Sequence, residues 1–121
     1  MKIYGTEQER LQRGVITHHF PGCTLVDPGT LQSNPEKTRR GMEYCLELVD
    51  ACDSVVFSRF KDLITAGVGK EVNHGLLRGK SVYEIQRLNV VQITEPVDYL
   101  SRDDTIALYI GQAPLPDARK E

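Results

Sequence analysis

The stretch of sequence that decides the fold covers residues 54–75 and reads SVVFSRFKDLITAGVGKEVNHG. Its first four residues, Ser54–Phe57, have the composition of a short buried strand. A segment rich in glycine follows and leads into a predicted helix over residues 68–77, which opens with the carboxylate of Glu71. α/β proteins use this order of strand, glycine loop and helix to build a site at the carboxyl end of a sheet. Glycines let the backbone approach a ligand, and the helix N-terminus offers its N–H groups to that ligand.

Strands and helices are predicted to alternate along the rest of the chain, with cap and turn signals between them. Thr6 with Glu9 forms a capping box for the first helix, and Asn34 caps the second. The predicted strands cover residues 2–4, 23–26, 54–57, 81–85 and 89–93, and the predicted helices cover residues 7–19, 35–52 and 68–77.

The last third of the chain contains a predicted hairpin and a further element. Only residues 86–88 separate the last two strands, which is too short for a parallel crossover and favours an antiparallel pair. Ser101 with Asp104 forms another capping box, which predicts a helix, with a strand as the alternative. Residues 1–112 are therefore expected to form one domain, and residues 113–121 a C-terminal tail.

This order of elements predicts the fold class. Strands that alternate with helices form a mainly parallel sheet with helices on both faces. We expect a flavodoxin-like or Rossmann-like three-layer sandwich whose sheet has four to five strands, one of them an antiparallel edge strand.

Composition excludes several classes of function. The chain has 121 residues and a net charge of −2, without a basic block that would suit polymeric nucleic acid. Its apolar runs are too short to span a bilayer and no signal peptide is visible, so we expect a cytoplasmic protein without a membrane partner. The three cysteines have no metal-binding spacing, so we expect reduced thiols and neither a metal nor a cofactor.

Three segments carry a resemblance to a known family. Residues 51–57 (ACDSVVF) look like that family's ADVVV strand, and residues 67–71 (GVGKE) look like its G-V-G-x-E turn. Residues 79–83 (GKSVY) look like its GKPV return strand. In these motifs the chain resembles the nucleoside 2-deoxyribosyltransferase-like superfamily, in particular its deoxynucleoside 5′-monophosphate N-glycosidase branch. The resemblance is good over residues 38–85 and weak in the N-terminal third.

The resemblance implies an enzyme that hydrolyses or transfers the N-glycosidic bond of a small nucleoside or nucleotide, and that works as a homodimer or higher homo-oligomer. In the family, a glutamate after the glycines attacks the anomeric carbon of the sugar, and that carboxylate maps onto Glu71. A carboxylate suits this step because charge of oxocarbenium type develops on the sugar. The expected substrate-binding residues are Tyr4, Gly5, Asp27, Gly67, Val68, Gly69 and Lys70.

The chain departs from the family pattern at the expected acids. Thr65 stands where the transferases carry an aspartate, and Cys45 stands where the glycosidase branch carries an acidic residue. Glu43 and Glu47 flank Cys45 and are the candidates for a second acid that protonates the leaving base. The loop after the first strand is also shorter than in the family.

Two alternatives remain open at this stage. The chain can be a non-catalytic nucleotide-binding or regulatory domain that has kept the fold. Glu71 itself can simply stabilise the first turn of a helix through the helix dipole. His74, three residues later, can orient Glu71 or play a structural role.

Overall fold

The structure is a computed structural model that describes residues 1–6, 10–26 and 40–111. Within these ranges strands and helices alternate, and no helix there is long and apolar enough to cross a membrane. The elements are β1 (Lys2–Gly5), α1 (Arg10–His19), β2 (Thr24–Val26), α2 (Met42–Asp50), β3 (Ser54–Phe57), α3 (Ala66–Leu77), β4 (Ser81–Gln86), β5 (Asn89–Ile93) and α4 (Arg102–Tyr109).

The strands form one five-stranded sheet in the order β2-β1-β3-β4-β5. β1 pairs in parallel with both β2 and β3, and β3 pairs in parallel with β4. β4 and β5 pair antiparallel, as the short connection between them predicts. The predicted α/β fold, with a mainly parallel sheet and an antiparallel edge strand, is therefore confirmed.

Side chains of the central strands alternate between two helical layers. Ile3 and Tyr4 are adjacent on β1 and join different clusters of buried residues, as the period of two in a strand requires. Ile3 packs with Val15 and Ile16 of α1, whereas Tyr4 packs with side chains of α2 and α3. All four residues of β3 are buried, as expected for a central parallel strand that is covered on both faces.

Helix α3 begins earlier than predicted. The prediction places its start at residue 68, but the helix starts at Ala66, and Thr65 is its extended N-cap residue. Glu71 is therefore in the second turn, and the first turn contains no acidic residue. The interpretation of Glu71 as a first-turn residue that stabilises the helix dipole is wrong for this reason.

The glycines of this segment are helical, and close packing explains two of them. A Cβ added at Gly69 would lie 2.2 Å from ring atoms of Tyr99, and one added at Gly75 would lie 2.9 Å from Val55. The neighbouring chain segments therefore approach the helix backbone more closely than any side chain allows. Tertiary contacts of this kind outweigh the low helix propensity of glycine.

Residues 94–101 are attached to α3 and to the segment before it. The side-chain amide of Asn73 donates to the carbonyl of Val97 at 3.0 Å and accepts from the Val97 N–H at 2.8 Å. The N–H of Leu100 donates to the carbonyl of Ile64 at 2.9 Å. These bonds hold Tyr99 in place against Gly69.

The second helix is predicted over residues 35–52, but in the described residues α2 starts at Met42, because Gly41 has a φ of 57° and is its N-cap residue, and it ends at Asp50. The other boundaries that can be compared differ by at most two residues. The side chain of Ser101 accepts a hydrogen bond from the Asp104 N–H at 3.1 Å, which confirms Ser101 as the N-cap residue of a helix rather than part of a strand. β2 starts one residue later than predicted, at Thr24, and β4 extends to Gln86. The turn at Asp27, the cap at Asn34, the capping partner Glu9 and the C-terminal tail lie outside the described residues.

Candidate functional site

The centre of the candidate site is a buried hydrogen bond between Tyr4 and Glu71. The Tyr4 hydroxyl donates to Oε2 of Glu71 at 2.5 Å. Tyr4 has no exposed surface, and Glu71 is 7% exposed. The two residues are 67 positions apart, so the pair exists only because the sheet places β1 beside the crossover that carries α3. Both were candidate site residues, and the structure brings them together.

The environment keeps the Tyr4 hydroxyl protonated. Burial raises the pKa of Tyr4 far above its ordinary value, and the charge of Glu71 and the hydrogen bond to it raise this pKa further. The thiol of Cys45 on α2 also lies close enough to contribute to the raised pKa. Tyr4 therefore acts as a hydrogen-bond donor that orients the Glu71 carboxylate.

The pair lies next to the topological switch point of the sheet. The chain passes from β1 to β2 on one side and then crosses back to β3 on the other side, so the strand order reverses between β1 and β3. In open α/β sheets, ligands bind in the crevice at this point, outside the carboxyl ends of the strands. Thr6 follows β1 at this edge, and its buried Oγ1 has no hydrogen-bond partner among the described residues.

The proposed second acids lie elsewhere. Cys45 is buried, whereas the side chains of Glu43 and Glu47 are 74% and 56% exposed. Both glutamates form ion pairs with Arg40, which orients them away from the interior. At 100° per residue, positions two before and two after Cys45 point to the opposite side of the helix. The structure therefore does not bring Glu43 or Glu47 together with Glu71.

The expected substrate-binding residues of the glycine segment, residues 67–70, differ in how far they are buried and in what packs against them. Val68 is partly buried against the core cluster that contains Tyr4, and Lys70 is exposed. The space beside Gly69 is filled by Tyr99, and a Cβ at Gly67 would lie 3.4 Å from the methyl carbon of Met42. Close packing therefore accounts for Gly69, whereas the distance at Gly67 is an ordinary van der Waals contact.

Gly5, Asp27 and His74 are the other three candidates from the sequence, and the structure describes the surroundings of two of them. A Cβ at Gly5 would lie 2.9 Å from Leu25, so Gly5 packs against β2. Asp27 lies outside the described residues. His74 forms a 2.8 Å hydrogen bond through Nε2 with Asp50 at the end of α2. This contact fits the structural role for His74 rather than a role in orienting Glu71.

Sequence reasoning did not single out a second polar group around Glu84. Glu84 is 4% exposed and accepts a 2.8 Å hydrogen bond from Nε of Arg59. One signal was available, because Glu84 follows the buried Val82 by two residues and therefore shares its side of β4. A carboxylate at such a position needs a charged partner.

No group of three or more His, Cys, Asp and Glu side chains in the described ranges is arranged to hold a metal ion. No protein-family model, curated protein or solved structure matches the chain. The family resemblance therefore stays a prediction made from the sequence motifs.

Proposed function

We propose that the protein is an N-glycosidic-bond hydrolase or deoxyribosyltransferase that acts on a nucleoside or nucleotide, with Glu71 as the nucleophile. The observation that carries the proposal is the buried hydrogen bond from Tyr4 to Glu71 beside the β1/β3 switch point. A carboxylate held this way lies where α/β sheets bind ligands and has little contact with bulk water. Charges interact more strongly in such surroundings, so the carboxylate would strongly stabilise positive charge on a sugar.

The proposed reaction has two steps. A carboxylate oxygen of Glu71 attacks C1′ of the sugar, and the C1′–N bond breaks with its electron pair left on the base. The base takes a proton from solvent. Water then adds its hydroxyl group to C1′, releases the Glu71 carboxylate and gives its other proton to solvent, which yields the free sugar. Transfer follows if the nitrogen of a second base attacks C1′ in place of water.

Tyr4 is a positioning residue in this scheme. Its hydroxyl fixes the carboxylate and would share part of the negative charge when Glu71 leaves the sugar. The buried Oγ1 of Thr6, which has no hydrogen-bond partner in the described part of the chain, supplies a polar group for the substrate at the end of β1.

One observation favours a second candidate function, a non-catalytic nucleotide-binding or regulatory domain. The group next to Tyr4 on α2 is the thiol of Cys45, whereas an N-glycosidase would use a carboxyl group to protonate the leaving base. Glu43 and Glu47 are paired with Arg40 on the exposed side of the same helix. A domain of this kind binds the nucleotide and leaves it intact.

The proposal includes a cytoplasmic homodimer or higher homo-oligomer. Reduced cysteines fit this compartment, since none of the three forms a disulfide. Three apolar side chains at the end of α4, Ile106, Tyr109 and Ile110, are 49%, 62% and 67% exposed, which suits a contact with a second copy. Sedimentation velocity over a range of protein concentrations tests this part, and a monomer at all concentrations would contradict it.

The experiment for the activity is an assay of free base. Purified protein is incubated with deoxynucleosides and with their 5′-monophosphates, and released base is measured by liquid chromatography. We expect release by the wild type and a loss of about a thousandfold or more in Glu71→Gln. Glutamine keeps the shape of the side chain and can still accept the hydrogen bond from Tyr4. The matched control is Glu47→Gln, an exposed position on α2 that should leave release unchanged.

The outcomes separate the candidates. Release that is the same in Glu71→Gln and in the wild type would refute the nucleophile assignment. Binding of a nucleotide without any release, measured by calorimetry, would instead support the non-catalytic domain.

A further inference from the structure

A cavity opens at the carboxyl edge of the sheet, on the β4 side. Its volume is about 510 Å³, which lies within the range of small-molecule sites. Residues from four parts of the chain line it: α1, the segment after β3, the end of β4 and the β4–β5 turn. It shares no lining residue with the Tyr4–Glu71 pair, and β3 lies between β1 and β4.

A buried carboxylate forms part of its wall. Glu84 is 4% exposed; its Oε2 accepts from Nε of Arg59 at 2.8 Å, and its Oε1 accepts a long hydrogen bond of 3.4 Å from Gln86. Because a guanidinium has five N–H donors, Arg59 keeps further donors besides the one used here. The carboxylate is therefore neutralised and oriented, and Oε1 retains capacity to accept from a ligand.

The α1 side of the cavity carries an unsatisfied amide. Nε2 of Gln12 donates to Oγ of Ser58 at 3.0 Å, while the buried Oε1 of Gln12 has no hydrogen-bond partner among the described residues. Rotating the amide by half a turn would leave its NH₂ group unsatisfied instead. Buried polar atoms are rarely left without a partner, so this amide points to a polar ligand in either orientation.

Left-handed backbone conformations also gather here. Lys61, Asp62 and Arg87 are the non-glycine residues with positive φ in the described ranges, and Asp62 and Arg87 line the cavity with φ of 65° and 61°. These conformations belong to two tight turns: Phe60 and Leu63 exchange backbone hydrogen bonds across Lys61 and Asp62, and Arg87 lies in the β4–β5 turn. Here they place one acidic and one basic side chain at the rim.

The character of the lining indicates the chemical class of the ligand. Among the described lining residues, two arginines, Arg59 and Arg87, and two acids, Asp62 and Glu84, carry equal and opposite formal charge. Ile85 is the single apolar residue among the lining residues described, so an aliphatic ligand would have one apolar side chain to pack against. The donors and acceptors of the wall are instead matched by hydroxyl groups, each of which donates and accepts.

We propose that this cavity binds a neutral, hydroxyl-rich small molecule of monosaccharide size. The inference goes beyond the proposed function, because it does not require Glu71 to perform any chemistry.

The test is a titration of ¹⁵N-labelled protein followed by NMR. The probes are D-ribose and 2-deoxy-D-ribose, with inorganic phosphate and adenine as probes of an anionic and of an aromatic ligand. We expect the two sugars to shift the signals of Gln12, Gln86 and Arg87.

Two variants leave the fold in place and remove a wall group. Gln12→Ala puts a good helix former inside α1, and Arg87→Gly relieves the positive φ of the turn. Each should weaken the affinity for the sugar that binds by about five- to tenfold, the effect of one lost hydrogen bond. Gln92→Ala, at an exposed position of β5, is the matched control and should leave the affinity unchanged.

Several results would overturn the inference. Phosphate or adenine could shift the cavity signals while the sugars do not, or sugar affinity could stay the same in both variants. Sugar-induced shifts centred on Tyr4 and Glu71, and lost in Glu71→Gln, would place the sugar in the other site. That last result would support the proposed function and contradict a sugar site in this cavity. If the activity assay detects no released base, the titration still tests the cavity, because sugar binding there does not require Glu71 to perform any chemistry.

Discussion

Substitution of Tyr4 by phenylalanine removes one hydroxyl group from the interior and leaves the packed ring in place. The hydroxyl lies 2.5 Å from Oε2 of Glu71, and the exposed fractions of the two residues are 0% and 7%. The variant therefore buries the carboxylate without its phenol donor. Since a hydrogen bond to a charged group contributes about 1.5–3 kcal/mol, we expect the free energy of unfolding at neutral pH to fall by that amount.

The loss should depend on pH in a defined direction. Burial raises the pKa of Tyr4 far above its ordinary value near 10, so the native protein keeps this proton while the unfolded chain loses it above about pH 10. The native state then binds one more proton than the unfolded state. The free energy of unfolding of the wild type therefore falls, through this group, by about 1.4 kcal/mol for each pH unit above 10.

Phenylalanine does not ionise, so Tyr4→Phe lacks this slope. The full advantage of the wild type is present below about pH 10 and shrinks as the pH rises. A difference of about 1.5–3 kcal/mol is cancelled after one to two pH units, so the two stabilities should cross between about pH 11 and 12.

The measurement is urea unfolding followed by circular dichroism at a series of pH values. Tyr109→Phe is the matched control, because Tyr109 is 62% exposed and should give neither the loss nor the crossing. A difference between Tyr4→Phe and the wild type that stays constant from about pH 8 to 12 would refute the buried, protonated phenol. A loss below about 0.5 kcal/mol at neutral pH would refute the charged hydrogen bond.

Two further substitutions test the packing around α3. Gly69→Ala places a Cβ 2.2 Å from ring atoms of Tyr99, so urea unfolding should show a loss of about 1–3 kcal/mol. Gly14→Ala, which enters open space on α1, should stabilise by up to about 1 kcal/mol, and equal effects of the two would contradict the close contact. Asn73→Ala removes both hydrogen bonds to Val97 and should cost about 1–3 kcal/mol and speed amide exchange at Val97. Unchanged exchange at Val97 would show that the segment is held by other contacts.

Much of the fold follows from local patterns in the sequence. β3 is predictable because its four residues are suited to burial on both faces, and the β4–β5 hairpin because the connection is too short for a crossover. The last helix is predictable from the capping box of Ser101 and Asp104. The start of α3 is not, because glycine favours a loop in isolation, and only the approach of Tyr99 shows why Gly69 lies in a helix.

The sequence pattern singles out Tyr4 and Glu71 as candidate site residues, but it does not predict the hydrogen bond between them. Tyr4 and Glu71 follow from the rule that the carboxyl ends of parallel strands meet at one edge. Glu71 lies two residues deeper in α3 than predicted, in its second turn, and its hydrogen bond to Tyr4 joins residues 67 positions apart. The pair of Arg59 and Glu84 spans 25 positions, and nothing in the local sequence of either residue indicates the other.

The central position of β1 affects how the chain reaches its native state. β3, α3, β4 and β5 follow one another in both sequence and space, so this half can assemble through short connections. β1 must instead insert between β2 and β3, and it pairs with β3 across about fifty residues, at a greater loss of chain entropy. Contacts of long sequence separation slow folding. The same strand carries Tyr4, so the site is complete only when this pairing, which has the longest sequence separation in the sheet, has formed, and any partial unfolding that releases β1 dismantles the site.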